Sequence, residues 1–591
     1  MTPVSSTQRG IALALYALFT LLAFPHELPI VGAFDGGLIF AWLGPAALVV
    51  GLDGLSSRSA ARAAFVASLV AHTLLFYWFI VVTVGYGGMP LALGLLAPLL
   101  PGFWVAQFSA LFAAVWARLA RRPGSILSGA CAWVAADWLR GWFLGGFPWA
   151  TLGYALHLDL PLLAWTRWGG VYALSFVAAA IGLALGSVAL RWIGSEAVAT
   201  TSATSSQESR RTGTITARSL AGVALVLVVA HALGLALAAD ELVDAPRVRI
   251  AAIQGNIDQG EKWDEGRRQR ILESYLRLSR TAVERGAKWI VWPETAIPGS
   301  LEWDPELRQA IGALARQSDA VLVLGGMGIE FEAGVDEPSA YYDSAFVVGQ
   351  DGQISDRYDK TQLVPFGEFV PLRGLLGSVF QSLARGLSPS DVTPGPAPRS
   401  IELPGFGAGV ASLRAGAPIC YELIFPDLVR RFVADGAGVL LAVTNDAWYG
   451  RTGAPHQFLA MTAVRSAETG RFTVRAANTG ISAIIDDRGQ VHERSGLFEE
   501  AVIVADVQVA RETSVSPDES DDESDAGSEG RSDGGSDGVS GGVGRTFYVR
   551  HGDIFAWGCI LGALAGLVCD RMAASRSGDG DERLRETVAG A

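Results

Sequence analysis

The sequence predicts a multi-pass α-helical membrane domain of about eight spans joined to an α/β domain. Three observations predict it. Half of the 591 residues are hydrophobic and 18% are charged, with a mean hydropathy of +0.32, whereas a soluble globular chain carries about 25% charged residues. Apolar runs long enough to cross a bilayer as a helix cluster before residue 240 and recur once near the C-terminus. Between them, residues 240–511 alternate short β-branched runs with amphipathic stretches, the pattern of an α/β domain.

Seven candidate spans fall at about 10–25, 36–52, 62–84, 91–117, 124–141, 169–190 and 219–239, and an eighth at about 553–570. A helix suits a bilayer because it bonds every backbone polar group internally. The first span does not read as a cleaved signal: Arg9 stands alone before it, no small-residue cleavage site follows, and more spans come after. Basic residues in short loops set orientation. With a cytoplasmic N-terminus, twelve arginines in the segments close to the span ends lie inside: Arg9, Arg58, Arg62, Arg118, Arg121, Arg122, Arg191, Arg210, Arg211, Arg218, Arg571 and Arg576. Two, Arg140 and Arg167, lie outside. Residues 240–552 are therefore expected on the outer face, with the last span returning the tail to the cytoplasm. Asp137 and Arg140, one helical turn apart, are expected to pair, and His72 to pack within its span. The several midplane charges and broken helices of a transporter are not seen.

In the outer domain, segments 247–256, 287–297, 320–329, 344–349, 416–425, 438–446 and 472–486 read as strands with their exit turns. Residues 264–286, 304–317 and 455–470 read as amphipathic helices. The Ser/Thr-rich stretch 194–217 reads as a cytoplasmic loop. Residues 512–544 hold ten acidic residues and one basic, and read as a disordered acidic linker to the C-terminal span and tail, 545–591. That linker carries −9 of the net −13, so the rest is near neutral and shows no basic footprint for nucleic acid. Four cysteines make no disulfide framework, and seven scattered histidines show no metal-ligand spacing.

Three polar residues stand where strands end. Glu294 follows WIVWP, Lys360 lies in RYDKTQLVPFGEFVP, and Cys420 opens the turn after GAPI. A free thiol is mostly protonated at neutral pH. A carboxylate can take its proton as it attacks a carbonyl, and an ammonium can stabilise the resulting oxyanion. Taken separately, each residue also fits an ordinary role: a small core thiol, a turn carboxylate, a solvated lysine.

The motifs in which they sit are more specific. The domain resembles the nitrilase (carbon–nitrogen hydrolase) superfamily, whose Glu-Lys-Cys triad occurs in this order. The whole chain is similar to the apolipoprotein N-acyltransferase family of bacterial envelopes, through DWLRGWFLGGFPW (137–149), QGNIDQGEKWD (254–264), WPETAIP (292–298), DKTQLVPFGEFVP (359–371), ICYELIFPD (419–427), TNDAWYG (444–450) and TFYVRHGD (546–553). The resemblance implies an αββα nitrilase-like sandwich at 240–511 behind a seven-span domain at 1–239. It implies Glu294 as general base, Lys360 as transition-state stabiliser and Cys420 as nucleophile, with Glu368, Tyr421 and Glu422 in support. Trp263, Asn445 and Trp448 are the expected substrate-binding residues, and Asp446 is expected beside them. The acidic insertion before TFYVRHGD departs from the family pattern and is expected to lengthen the tether only.

The implied reaction has two steps. Cys420 takes the sn-1 acyl chain of a phospholipid, phosphatidylethanolamine being the expected donor, as a thioester. The α-amine of a lipoprotein's N-terminal diacylglyceryl-cysteine then takes it from the enzyme. No cofactor and no metal are implied, and the expected location is the bacterial inner membrane with a periplasmic catalytic domain. The segment 371–387 places Leu372, Leu375, Leu376, Val379, Phe380 and Leu383 on one helical stripe, expected to be a lid or arm touching lipid. The alternative is a membrane-tethered nitrilase-type amidase, which shares the triad but gives no reason for seven leading spans. A non-enzymatic scaffold is weakened by the presence of all three triad residues.

Overall fold

The computed structural model describes all residues except 1–3, 121, 200–204, 238–244, 263, 333, 335–336, 370–391, 406–411, 512–543 and 590–591. The lid segment 371–387, Trp263 and nearly all of the acidic linker thus lie outside the described residues.

Helices occur at each expected span: Ser6–Leu22, Gly37–Leu52, Ser57–Leu75, Leu99–Leu119, Ser125–Trp142, Val171–Ala199, Ser205–Leu237 and Ile554–Ala589. The first starts on a capping box, the Ser5 side chain accepting from Gln8 N while the Gln8 side chain accepts from Ser5 N. Among the described residues, four helical stretches are long and apolar enough to cross a membrane: Leu91–Leu119, Val171–Gly194, Ala217–Leu237 and Ile554–Met572. Gly37–Leu52 is apolar but shorter. The expected loop at 194–217 is instead mostly helix, running to Ala199 and resuming at Ser205. Once an apolar helix is nucleated, each further residue adds a hydrogen bond, so the helix propagates into polar sequence. The expected intramembrane pair is present, Arg140 to Asp137 at 3.1 Å, and Arg140 also bonds Trp149 O and Thr151 Oγ1. His72 is buried and bonded to Ser68.

A short hairpin, β1 (His26–Leu28) and β2 (Gly32–Phe34), precedes the second helix. The outer domain then contributes β3 (Arg247–Gln254), β4 (Trp289–Trp292), β5 (Val321–Phe331), β6 (Pro338–Val348), β7 (Ile354–Asp359), β8 (Ile401–Leu403), β9 (Leu413–Gly416), β10 (Val439–Thr444), β11 (Thr473–Ala477), β12 (Ala483–Ile485), β13 (Val491–Arg494) and β14 (Ala501–Gln508). They form two six-stranded sheets, ordered β14-β3-β4-β5-β6-β7 and β13-β12-β11-β10-β9-β8. Alternation along the strands builds the layers. Ile250, Ala252, Trp289, Val291, Val321 and Val323 face the second sheet. Ala251, Ile253, Ile290, Trp292, Leu322 and Leu324 face the helices Arg268–Glu284 and Pro305–Ser318. The expected strand 472–486 is broken into β11 and β12, and the expected strand 416–425 ends early, leaving a single bridge at Ile419 and a tight helical turn from Cys420. The αββα sandwich is thus present, with β7, β8, β13 and β14 added to the expected strands.

The helix Ala454–Thr469 was expected to be amphipathic, yet nearly every residue is buried. One face lies on the second sheet and the other on the membrane domain. Gln457 accepts from Trp149 Nε1 at 2.8 Å and donates to Pro25 O at 3.0 Å. Glu468 accepts from Val171 N at 3.1 Å, and Arg465 donates to Tyr154 OH at 2.8 Å. Arg465 and Glu468 also pair at 2.9 Å, both fully buried. Burial pushes the Glu468 carboxyl up to about 7, with Arg465 pulling against it. Arg465→Leu is expected to destabilise the chain by about 3–5 kcal/mol, because it strands a buried carboxyl. The check is the unfolding midpoint in detergent micelles.

Candidate active site

The parallel strands deliver the site. β3, β4 and β5 run parallel, β6 reverses, and β7 reverses again to run with β5. In the other sheet β9, β10 and β11 run parallel. Side chains following β4, β7, β9, β10 and β11 therefore gather at one end of the sandwich, outside the carboxyl ends of the strands.

Lys360 is the centre of the cluster. Its side chain is wholly buried, and its ammonium donates to Glu294 Oε1 at 3.0 Å, Asp343 Oδ2 at 3.2 Å and Glu368 Oε1 at 2.5 Å. Burial opposes its charge, but Glu294, Glu368 and Asp343 outweigh that and hold it well above the ordinary lysine range. The three carboxylates carry oxygens within 4.8 Å of one another, close enough to hold a cation. The ammonium of Lys360 already fills that role, so the donor set is satisfied by the chain's own charge.

The carboxyls divide by protonation. Burial raises Glu294, but Lys360, a hydrogen bond from Asp343 and the charge of Lys262 bring it below the usual carboxylate range. Burial and then the charge of Glu294 push Asp343 well above that range. Of the two, Asp343 is the one pushed toward holding a proton and Glu294 the one pushed toward the ionised form that a general base needs.

Cys420 is 7% exposed and sits at φ +45°, a left-handed conformation uncommon for a residue with a Cβ. Thr295, next to Glu294, is at φ +47°. Burial, then the negative charge of Glu294, push the Cys420 thiol well above its ordinary range, while Lys360 and the Asn445 backbone N–H pull it back. At rest it is a neutral thiol, and attack requires a base to take its proton.

Glu422 joins the lysine-bearing segment to the cysteine-bearing one. It accepts from Tyr358 OH at 2.7 Å, Thr361 N at 2.7 Å and Thr361 Oγ1 at 2.9 Å, all flanking Lys360. It also accepts from Ile419 N at 2.8 Å, beside Cys420. Burial pushes this carboxyl up, and those donors pull back. Glu422→Gln turns an amide NH2 toward N–H and O–H donors. The expected loss is about 1.5–3 kcal/mol of stability together with a fall in kcat, checked by melting and by initial rates.

The expected supporting residues are placed as follows. Glu368 caps Lys360 and accepts from Val364 N at 2.9 Å. Tyr421 is buried, its ring 5.2 Å from Phe425. Asn445 donates to Gln259 Oε1 at 2.7 Å and accepts from Asn478 Nδ2 at 3.3 Å. Asp446 points into the core, where Arg475 meets it at 2.5 Å. Trp448 is half-buried, with its ring 5.4 Å from Tyr86 of the membrane domain. Two residues of the site had no place in the sequence reading. Asp343 sits just before the expected strand 344–349. Lys262 lies in QGNIDQGEKWD, and its ammonium is buried 2.9 Å from Glu294 O. Their only signal in the sequence is a charge inside a recognised motif for Lys262 and a charge at the start of an apolar strand for Asp343.

A family described as carbon–nitrogen hydrolase matches residues 249–516, and one described as apolipoprotein N-acyltransferase N-terminal domain matches residues 15–184. The apolipoprotein N-acyltransferase of Geobacter metallireducens is 34% identical over 531 residues, 88% of this chain and 89% of that one. That of Azotobacter vinelandii is 33% identical over 84% of this chain and 88% of its own. Among solved structures, an amidase from Nesterenkonia sp. aligns with 45% of this chain and 92% of its own, at 21% identity and a TM-score of 0.33. The two matched segments follow the order of the membrane helices and the sandwich, and the full-length similarity joins them: this chain belongs to the apolipoprotein N-acyltransferase family.

Proposed function

We propose that the chain moves an acyl chain from the sn-1 position of a phospholipid to the α-amine of a lipoprotein's N-terminal diacylglyceryl-cysteine, through a thioester on Cys420. The carrying observation is the buried Lys360 ammonium held by Glu294 and Glu368, with its charge acting on the neighbouring thiol. Glu294 takes the Cys420 proton as sulfur attacks the ester carbonyl. The tetrahedral oxyanion forms in the field of Lys360. It collapses to the thioester, and the departing lysophospholipid oxygen receives the proton from Glu294. In the second half, Glu294 takes a proton from the incoming amine as nitrogen attacks the thioester, and returns it to the departing sulfur. An α-amine with a pKa of about 7.7–8.0 is partly neutral at physiological pH, so no strong base is needed.

Supporting groups are assigned by position. Glu368 orients Lys360, Glu422 fixes the two segments together, and Tyr421 walls the site. Trp263, Asn445 and Trp448 contact substrate. Residues 1–239 and the last helix form about eight spans in the bacterial inner membrane, with the domain at 240–511 on the periplasmic face. The arginine asymmetry of the short loops supports that orientation. Phosphatidylethanolamine is the proposed donor, and residues 512–544 are the linker to the C-terminal span.

The test is incubation of the purified full-length chain with phosphatidylethanolamine in micelles, followed by intact-mass measurement. A lasting acyl adduct on Cys420, released by a diacylglyceryl-cysteine peptide, is expected. Rapid turnover of simple amides without an amine acceptor would favour the tethered amidase instead.

A further inference from the structure

An ammonium has three N–H donors. Those of Lys360 have three carboxylate acceptors around them, Glu294, Asp343 and Glu368. At rest each N–H of Lys360 is therefore engaged by a carboxyl, and its charge acts on the reaction from within that cluster. A second ammonium stands beside it. Lys262 is 6% exposed, donates to the main-chain oxygen of Glu294 at 2.9 Å, and has no other acceptor among the described residues. The groups whose charge, when ionised, acts on it are Glu294 after β4, Asp343 on β6 and Cys420 after β9. Its own loop adds Asp258, Glu261 and Asp264, and Lys360 faces the same carboxylates. It is thus held next to the base and within the field of the nucleophile, with two donors uncommitted.

We propose that Lys262 is a further catalytic residue: its free N–H groups donate to the oxyanion of the tetrahedral intermediate on Cys420, adding to the charge of Lys360. The proposal rests on the acyl-transfer reading and deepens it. The step moves no additional proton. Sulfur–carbon bond formation places the negative charge on the former carbonyl oxygen, and the ammonium stabilises it until the ester oxygen leaves. The main-chain contact to Glu294 serves as the anchor that aims Lys262. Burial brings Lys262 down to about 8, with Glu294, Asp343 and Cys420 pulling it back up. Its charge is therefore present below that value and is lost as pH rises through it.

The experiment follows the first half-reaction alone, so that no acceptor amine titrates. Full-length wild type, Lys262→Gln and Lys262→Arg are mixed with phosphatidylethanolamine micelles between pH 6 and 9.5, and acylation of Cys420 is timed by intact mass. Glutamine keeps a donor for the Glu294 carbonyl but no charge. It is expected to lower the acylation kcat by about 10²–10³-fold, the size of losing one oxyanion donor, with little change in KM. Wild type is expected to lose rate above about pH 8. Lys262→Arg stays charged throughout, so its alkaline limb is expected to vanish. A Gln variant as fast as wild type would show that Lys262 is only an anchor and overturn the proposal, as would an alkaline limb that persists in the Arg variant. If Lys262→Gln does not fold, wild type against Lys262→Arg decides. If neither variant folds, a wild-type rate that does not fall above pH 8 overturns it. Wild type without any Cys420 adduct overturns the acyl-transfer reading itself, which separates the two failures.

Discussion

Cys420→Ala is expected to abolish acyl transfer while leaving the chain folded and inserted in the membrane. The sulfur is the only group at that position that can hold an acyl chain between donor and acceptor. Without it, both half-reactions lose their intermediate, and the rate should fall by about four to six orders of magnitude. The structural cost is small, about 1 kcal/mol for one buried sulfur, because Glu422 still ties the turn to the Lys360 segment through Ile419 N and Thr361 N. The measurement is mass analysis of a lipoprotein N-terminal peptide from cells or micelles holding the variant, with its melting curve as control. Unchanged N-acylation would remove Cys420 from the mechanism. Cys420→Ser is the sharper companion. It keeps the shape, but a hydroxyl is a far weaker nucleophile than a thiol, so activity should still be lost.

The second large effect is expected from Lys360→Met, and it combines catalysis with stability. Methionine has similar length, so packing is nearly kept, but Glu294, Asp343 and Glu368 then face one another without a cation. Removing one partner from a buried charged set costs about 3–5 kcal/mol. The cluster can respond only by taking up protons, and a protonated Glu294 no longer serves as base. Loss of the general base alone costs about 10²–10⁴-fold in rate. Sign and window follow from the wild-type directions. Glu294 is held below the usual carboxylate range, so its contribution is present at neutral pH and fades as pH falls through its lowered value. In Lys360→Met that window moves upward, and residual activity should appear only at higher pH than in wild type. Lys360→Arg is not expected to rescue, because a planar guanidinium cannot place donors toward three acceptors around a single nitrogen. A Lys360→Met chain with a wild-type acid limb would refute the ammonium as the group that keeps Glu294 charged.

The strands that carry the site were readable for a physical reason. β4, β5 and β10, and β3 from Ile250 on, are buried on both faces, so they appear as continuous apolar runs: WIVW, VLVLGG, VLLAVT and IAAI. β7 (ISDRYD) and β13 (VHER) lie at sheet edges and read as polar loop. Cys420 and Glu294 were visible because a reactive group follows an apolar strand. Asp343 was not, because nothing within a few residues of it distinguishes a buried charge from a solvated one, and Lys262, though inside QGNIDQGEKWD, reads there as an ordinary loop lysine. The helix Ala454–Thr469 shows the same limit. Its polar face carries Gln457, Arg465 and Glu468, which reads as a face for water, but the membrane domain covers it.

Chemical identity and local pattern, then, reside in the chain as written: apolar length marks the membrane helices, short apolar strands alternating with amphipathic helices the sandwich, and residue type the thiol, the base and the cation. Protonation, burial and donor count do not, because each depends on which distant segments close around a group. Lys360 is a loop lysine until β4, β6 and the segment at Glu368 bring three carboxyls to it, and Lys262 becomes a candidate oxyanion donor only when Glu294 holds it in place.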